Sequence, residues 1–140
     1  MLSSSLFLLL FLNPNISKIN DHLKDFKWKN RVLVVVTNDK EEINDLTTIH
    51  NNELTEREFV IIQFDGENSF IDNKLMSKRF SKSIKKKVKD IPEKVYLILI
   101  GKDGEIKNLY TKNTNLNEIF SEVDKMPMRI NEMSRNTKDH

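Results

Sequence analysis

Cysteine is missing altogether, and glycine and proline number only three each among 140 residues. Without cysteine there is no disulfide framework, no thiolate metal site and no cysteine nucleophile. Thiol–disulfide oxidoreductase and cysteine peroxidase chemistry are therefore excluded. The same absence is compatible with any redox compartment and does not locate the protein. With so little glycine and proline there is little room for long loops, and dense regular structure is expected. Neither sign of charge dominates: 23 Lys and Arg stand against 21 Asp and Glu, a formal net charge of +2. That balance carries no nucleic-acid signature, and no nucleic-acid partner is expected. Histidine is sparse and scattered at His22, His50 and His140, so no Ser-His-Asp arrangement is indicated.

What the chain does have is apolar material for one modest core, 38% of residues, alongside 31% charged. Its length suits a single domain. Leu6 to Leu12 is an unbroken apolar run. It is far shorter than the ~20 residues that span a bilayer, and it fits the apolar region of a secretory signal peptide, roughly 7–15 residues long. No Lys or Arg precedes it and Asn13-Pro14-Asn15 follows as a turn, so an uncleaved anchor or a buried strand stays open. The division expected is a signal peptide or N-terminal hydrophobic segment at 1–17, a domain at 18–134 and a polar tail at 135–140. Export to the periplasm or outside the cell follows from the leader, and membrane contact only through that segment if it is retained.

The elements follow from periodicity. Ile19, Leu23 and Phe26 suggest a short helix ending near Trp28. Val32 to Val36 reads as a strand buried on both faces. Asn38 and Asp39 can each cap the next helix, with Glu41 and Glu42 completing a capping box. Ile43, Leu46 and Leu54 form its inner stripe, and it ends near Glu56. Phe59 to Phe64 is a second buried strand. A helix from about Leu75 to Lys89 buries Met76, Phe80, Ile84 and Val88. Val95 to Ile100 is the third strand, and Lys102-Asp103-Gly104 turns it into an alternating strand from Glu105 to Tyr110. A last helix opens at Asn115 and buries Leu116, Ile119, Phe120 and Val123. The order is β-α-β-α-β-β-α, an α/β fold of thioredoxin-like type with a central mixed sheet and flanking helices. Two βαβ crossovers would make the first three strands parallel if they share one sheet. A doubly wound domain would lack the late hairpin.

Four segments carry a resemblance. They are Phe26-Lys-Trp-Lys-Asn-Arg31, Glu56-Arg57-Glu58, Ile100-Gly-Lys-Asp-Gly104, and Asp124-Lys-Met-Pro-Met-Arg129 with Glu132-Met133. Together they resemble a bacterial domain-of-unknown-function family with a thioredoxin-like, peroxiredoxin-related fold, a relative of the DUDES domain of secreted sushi-repeat proteins. The resemblance spans roughly Leu23 to Met133. It implies the fold and an exported setting. It brings no established activity, so no catalytic residue is carried over.

In a redox-active thioredoxin fold the nucleophile follows the first strand, where a helix N-terminus stabilises a thiolate. Here Thr37-Asn38-Asp39-Lys40 holds that place. A capped helix start explains it, and the carboxylate spacing matches no calcium loop. Arg57, Lys102 and Arg129 are the candidate binding residues, with Asp103 beside Lys102. Arginine presents a planar fork to carboxylate or phosphate. The competing explanation ties Arg57 or Arg129 to Asp103 or Asp124 in structural salt bridges. Met126, Met128 and Met133 are a weak candidate copper set, although methionines more often fill core gaps. The lysine-rich helix, with Lys78, Arg79 and Lys82 to Lys89 around a narrow apolar face, is read as a solvated outer surface ahead of a membrane binder.

The leading reading is a non-catalytic binding or structural module, with no cofactor. Its partner is unknown, another envelope protein or a small anionic ligand being the candidates. Two alternatives stay open. One is a non-thiol enzyme gripping an anionic substrate through Arg57, Lys102 and Arg129. The other is a weak copper or membrane-surface binder.

Overall fold

A computed structural model describes residues 20–138. The apolar run Leu6–Leu12, and the export signal read from it, lie outside the described residues. A six-stranded mixed sheet forms the middle layer, in the order β4-β3-β2-β1-β5-β6. The strands are β1 (Arg31–Val36), β2 (Phe59–Phe64), β3 (Ser69–Ile71), β4 (Lys74–Leu75), β5 (Leu97–Ile100) and β6 (Ile106–Tyr110). The helices are α1 (Lys40–Ile49), α2 (Asn51–Glu56), α3 (Lys78–Val88), α4 (Leu116–Asp124) and α5 (Pro127–Lys138).

β1 sits at the centre because its side chains are apolar on both faces. Val32 and Val34 join Phe26, Phe80 and Ile84 in one core. Leu33 and Val35 join Ile43, Leu54, Ile119 and Phe120 in the other. The period-two alternation of a strand sends neighbours to opposite cores, so the β-branched run needs cover on both sides. α3 covers one face, and α1, α2 and α4 cover the other.

β1 pairs parallel with β2, Leu33 opposite Ile61. It pairs antiparallel with β5, Leu33 opposite Leu99. Three parallel strands are therefore corrected to two. The reason lies in α3, whose end does not return the chain to the start of the sheet. Val88, Ile91 and Pro92 line one hollow with Val36 and Phe64, the last residues of β1 and β2. β5 thus enters from the end where β1 and β2 leave, and must run back. The hairpin from β5 to β6 is present, with Gly104 at φ +83°, a value that favours glycine.

Four further differences have local causes. The expected first helix is one 3-10 turn, Leu23–Phe26, capped by His22 and Asp25. Leu75 and Met76 fall before the helix, which starts after the Ser77 cap. Leu75 lies in β4, joined to β3 by a two-residue turn with Asp72 at φ 51° and Asn73 at φ 64°. That turn is the mirror-image hairpin turn, which needs positive φ at both central residues. Asp39 alone caps α1, accepting from the Glu41 and Glu42 amides, while the Glu42 carboxylate accepts from the Thr37 hydroxyl at 2.8 Å. Finally, the helix that opens at Asn115 is not the last: Pro127 opens α5 after it, and proline is well suited to the first helical position. α5 runs to Lys138, through residues 135–138 of the expected polar tail.

Candidate functional site: a buried ion network at one end of the sheet

The antiparallel pairing of β5 brings its C-terminus beside the starts of β1 and β2. Arg31 opens β1, Arg57 closes α2 just before β2, and Lys102 stands in the turn after β5. α5 contributes Arg129 and Glu132, three residues apart and so on one helix face. The topology therefore gathers four cations from four places in the chain at one end of the sheet.

Each cation is engaged by carboxylates. Arg57 makes a two-pronged contact with Asp124, Nε to Oδ1 at 2.9 Å and Nη2 to Oδ2 at 2.8 Å. Its guanidinium also stacks on Phe120, 4.9 Å from the ring centre. Arg129 donates to Asp124 at 3.1 Å and to the Glu56 carboxylate at 2.9 Å. Arg31 donates to Glu132 at 3.0 Å and to the Arg57 carbonyl at 3.0 Å. Lys102 donates to the second oxygen of Glu132 and lies 3.4 Å from Glu58. Four cations thus meet four carboxylates: Glu56, Glu58, Asp124 and Glu132.

The arginines also close α2. Arg57 Nη1 donates to the Glu53 carbonyl and Arg129 Nη1 to the Glu56 carbonyl. These belong to the last turn of the helix, where carbonyls lack intrahelical partners and the dipole is negative.

Burial makes these contacts matter. Arg129 is 1% exposed, Arg31 2% and Lys102 7%. Burial opposes the charge on Glu132, but hydrogen bonds from Lys102 and Arg31 outweigh it and hold its carboxyl below the usual range. Asp124 follows the same balance, burial against hydrogen bonds from Arg57 and Arg129, and is also lowered. Arg129 is raised, its own burial being outweighed by Asp124 and Glu56. A charge-balanced network of this kind positions chain segments. Among the described residues none of the four cations is without a carboxylate partner.

Of the residues singled out from sequence, Arg57, Lys102 and Arg129 come together here. Asp103 does not join them: it accepts from Lys107 at 2.6 Å and from the Glu105 amide. Burial raises its carboxyl and the Lys107 contact more than offsets that, leaving it lowered. Met126 packs against the core of the α1–α2–α4 face, and Met128 is exposed. Met128 and Met133 are five residues apart on α5, about 140° around the axis, so they do not share a face. Among the described residues no group of His, Asp or Glu side chains is arranged to hold a metal, and no helix is long and apolar enough to cross a membrane.

Sequence reasoning missed Arg31, Glu56, Glu58 and Glu132 as parts of the network. One signal was present: an arginine at the head of a β-branched strand buried on both faces needs an anion. Three residues on from Arg129, Glu132 was the helical neighbour that could supply it.

The turn Thr37–Lys40 lies at the opposite end of the sheet. Its groups are occupied by the α1 cap and by Glu42, which also pairs with Lys112 at 3.1 Å. The Thr37 hydrogen bond and Lys112 hold the Glu42 carboxyl down. Burial, then the Glu42 charge, push the Tyr96 hydroxyl up to about 12. Gln63 donates to the Thr37 carbonyl at 3.4 Å, while its buried Oε1 has no partner among the described residues.

No curated protein and no solved structure matches the chain. A family described as "Domain of unknown function (DUF4174)" matches residues 22–132. Those residues include the whole sheet and all eight members of the ion network, and on that match the chain belongs to the DUF4174 family.

Proposed function

We propose that this is a non-catalytic binding or structural module of thioredoxin-like arrangement, exported to the periplasm or outside the cell. The carrying observation is that Arg57, Lys102 and Arg129 are each paired with carboxylates of the chain itself. All eight network residues also fall within the four segments that carry the family resemblance. The recognisable sequence is thus spent on holding α2, β1, the β5–β6 turn and α5 together. The parallel β1–β2 pair, antiparallel β5 and edge β6 support the thioredoxin-like reading. At the turn after β1, Thr37 and Asp39 are tied into the cap of α1, and no nucleophile replaces the absent thiol. The leader-like run Leu6–Leu12 supports export.

The test compares Arg57→Gln and Arg129→Gln with the parent chain in urea. Both midpoints should fall, because each change leaves Asp124 short of a buried partner. A residue kept for gripping substrate behaves in the opposite way, its removal leaving stability unchanged or improved. That outcome would restore the anion-binding enzyme reading. Export is tested by mass spectrometry of the mature N-terminus, where an intact Met1 would argue against cleavage.

A further inference from the structure

On the α3 face, a groove of about 630 Å3 opens between the 3-10 turn, the end of α3 and the β5–β6 turn. Its floor is apolar: Leu23, Phe26, Val32 and Ile100. Its rim carries Lys24, Lys27, Lys86, Lys87 and Lys89. No carboxylate of the described residues lies within salt-bridge distance of any of these five lysines. Of the acids on the rim, Asp103 and Glu105 are held by Lys107. With Lys107 counted, six lysines face the three carboxylates Asp90, Asp103 and Glu105, so the rim stays cationic. Lys27 also lays its alkyl stem across Gly104, 3.6 to 3.9 Å from where a side chain would begin, so the rim itself adds apolar surface. His22 accepts from the Lys24 amide through Nδ1, and burial and Lys24 lower its pKa. The neutral ring then carries its proton on Nε2.

We propose that this groove binds a single-chain anionic amphiphile, an alkyl chain over the apolar floor and its anionic head among the lysines. The proposal rests on the binding-module reading and names its ligand class. The volume lies within the range of small-molecule sites, roughly 300–1,000 Å3. A peptide is disfavoured by the state of the polar lining. The Ser83 hydroxyl is already shared between the Leu23 amide and the Phe80 carbonyl. The Gly101 and Gly104 amides are used inside the turn, and the Asn30 amide donates to Glu58. A peptide main chain would bury groups with nothing to pair with, whereas an alkyl chain needs no partners.

Trp28, the single tryptophan, lies beside this rim with Lys27 Nζ 5.5 Å from its ring. Its emission is therefore a reporter. The full chain is titrated with dodecanoate below micelle formation, by calorimetry and by Trp28 fluorescence. Decanoate and octanoate test the chain, and dodecanol tests the charge. Affinity should rise about three- to fourfold per methylene, and dodecanol should bind about tenfold more weakly than dodecanoate. The variant Lys86→Glu/Lys87→Glu should lose about tenfold for dodecanoate. Both side chains are exposed, and the variant keeps Leu6–Leu12, so binding to that run is separated from binding in the groove. Vesicles of anionic phospholipid distinguish a free amphiphile from a membrane surface. Binding to vesicles without binding to monomeric dodecanoate overturns the proposal. So do equal affinities for dodecanol and dodecanoate, an affinity independent of chain length, or a double variant that binds as the parent does. The double variant leaves the ion network intact, so failure here is distinct from failure of the urea comparison at Arg57 and Arg129.

Discussion

Replacing Glu132 by Gln isolates what the ion network contributes. Its carboxylate is 9% exposed and holds Arg31 and Lys102, whose side chains are 2% and 7% exposed. Gln keeps one acceptor oxygen but no charge, so Arg31 is left without an anion beside the Arg57 carbonyl, and Lys102 keeps only Glu58 as an anion, which is 52% exposed. Hydrogen bonds to charged groups contribute about 1.5–3 kcal/mol each, and breaking a buried pair costs about 3–5 kcal/mol. Both routes converge near 4 kcal/mol, a large part of the roughly 5–15 kcal/mol that holds a domain folded. Glu56→Gln is the internal comparison. That carboxylate also contacts Arg129 but is 61% exposed, so its loss costs about 0–1 kcal/mol. Urea unfolding at neutral pH measures both. The sign with pH follows from the lowered Glu132 carboxyl. The unfolded chain then binds more protons in the window between the folded and unfolded pKa values, so the stabilisation is full above the unfolded glutamate value and is lost as pH falls through the folded one. The gap between parent and Glu132→Gln should therefore narrow in acid. Arg31→Met/Lys102→Met/Glu132→Leu, which removes the carboxylate together with both cations it holds, should cost less than Glu132→Gln alone. A Glu132→Gln cost no larger than that of Glu56→Gln, or a gap unchanged by acid, would refute the assignment.

Two further outcomes follow from packing and burial. Phe80 is fully buried and meets Phe26 edge-on, ring centres 6.1 Å apart; Phe80→Ala should cost about 3–5 kcal/mol, measured by calorimetry, and a cost below about 1.5 kcal/mol would contradict the core described for the α3 face. The chain has only two tyrosines, and burial raises both, Tyr96 to about 12 and Tyr110 in the same direction through burial and then Glu122. Ultraviolet titration of the folded protein should therefore show no tyrosine ionising near the ordinary value of about 10, while denaturant restores both to it; a folded-state transition at the ordinary value would refute the burial of the hydroxyl concerned.

The elements that sequence reading located are those whose side chains meet the core at a regular spacing. Val32 to Val36 and Phe59 to Phe64 are apolar runs, and α4 buries the four residues its periodicity picks out. Pairing direction was not legible, because it depends on where α3 delivers the chain, and an amphipathic pattern says nothing of a helix's direction across a sheet. β3 and β4 escaped for another reason. At three and two residues they are too short for periodicity to register, and their marker is Asp72-Asn73, whose residues tolerate positive φ. α5 escaped because a proline ordinarily ends a helix, whereas Pro127 stands at the first helical position, where it fits. The network was half legible: a charge on an apolar strand announces that a partner exists, but only the fold says which.

In open α/β sheets, ligands gather outside the carboxyl ends of the parallel strands. In this chain that end holds Thr37–Lys40 and Gln63, with the hydroxyl and the capping carboxylate already engaged. The opposite end holds the network, and it is the network that the recognisable segments encode. Its chemistry is complete within the chain, since four cations meet four carboxylates. A resemblance carried by such residues therefore transfers a way of fastening α5 and α2 to the sheet. Recognition of a ligand must then use groups outside that set. The groove meets this condition. Of the recognisable segments it takes Phe26, Lys27 and Asn30 from the first and Ile100, Gly101, Asp103 and Gly104 from the β5–β6 turn. Its charge comes mainly from lysines at the end of α3, a stretch outside all four segments.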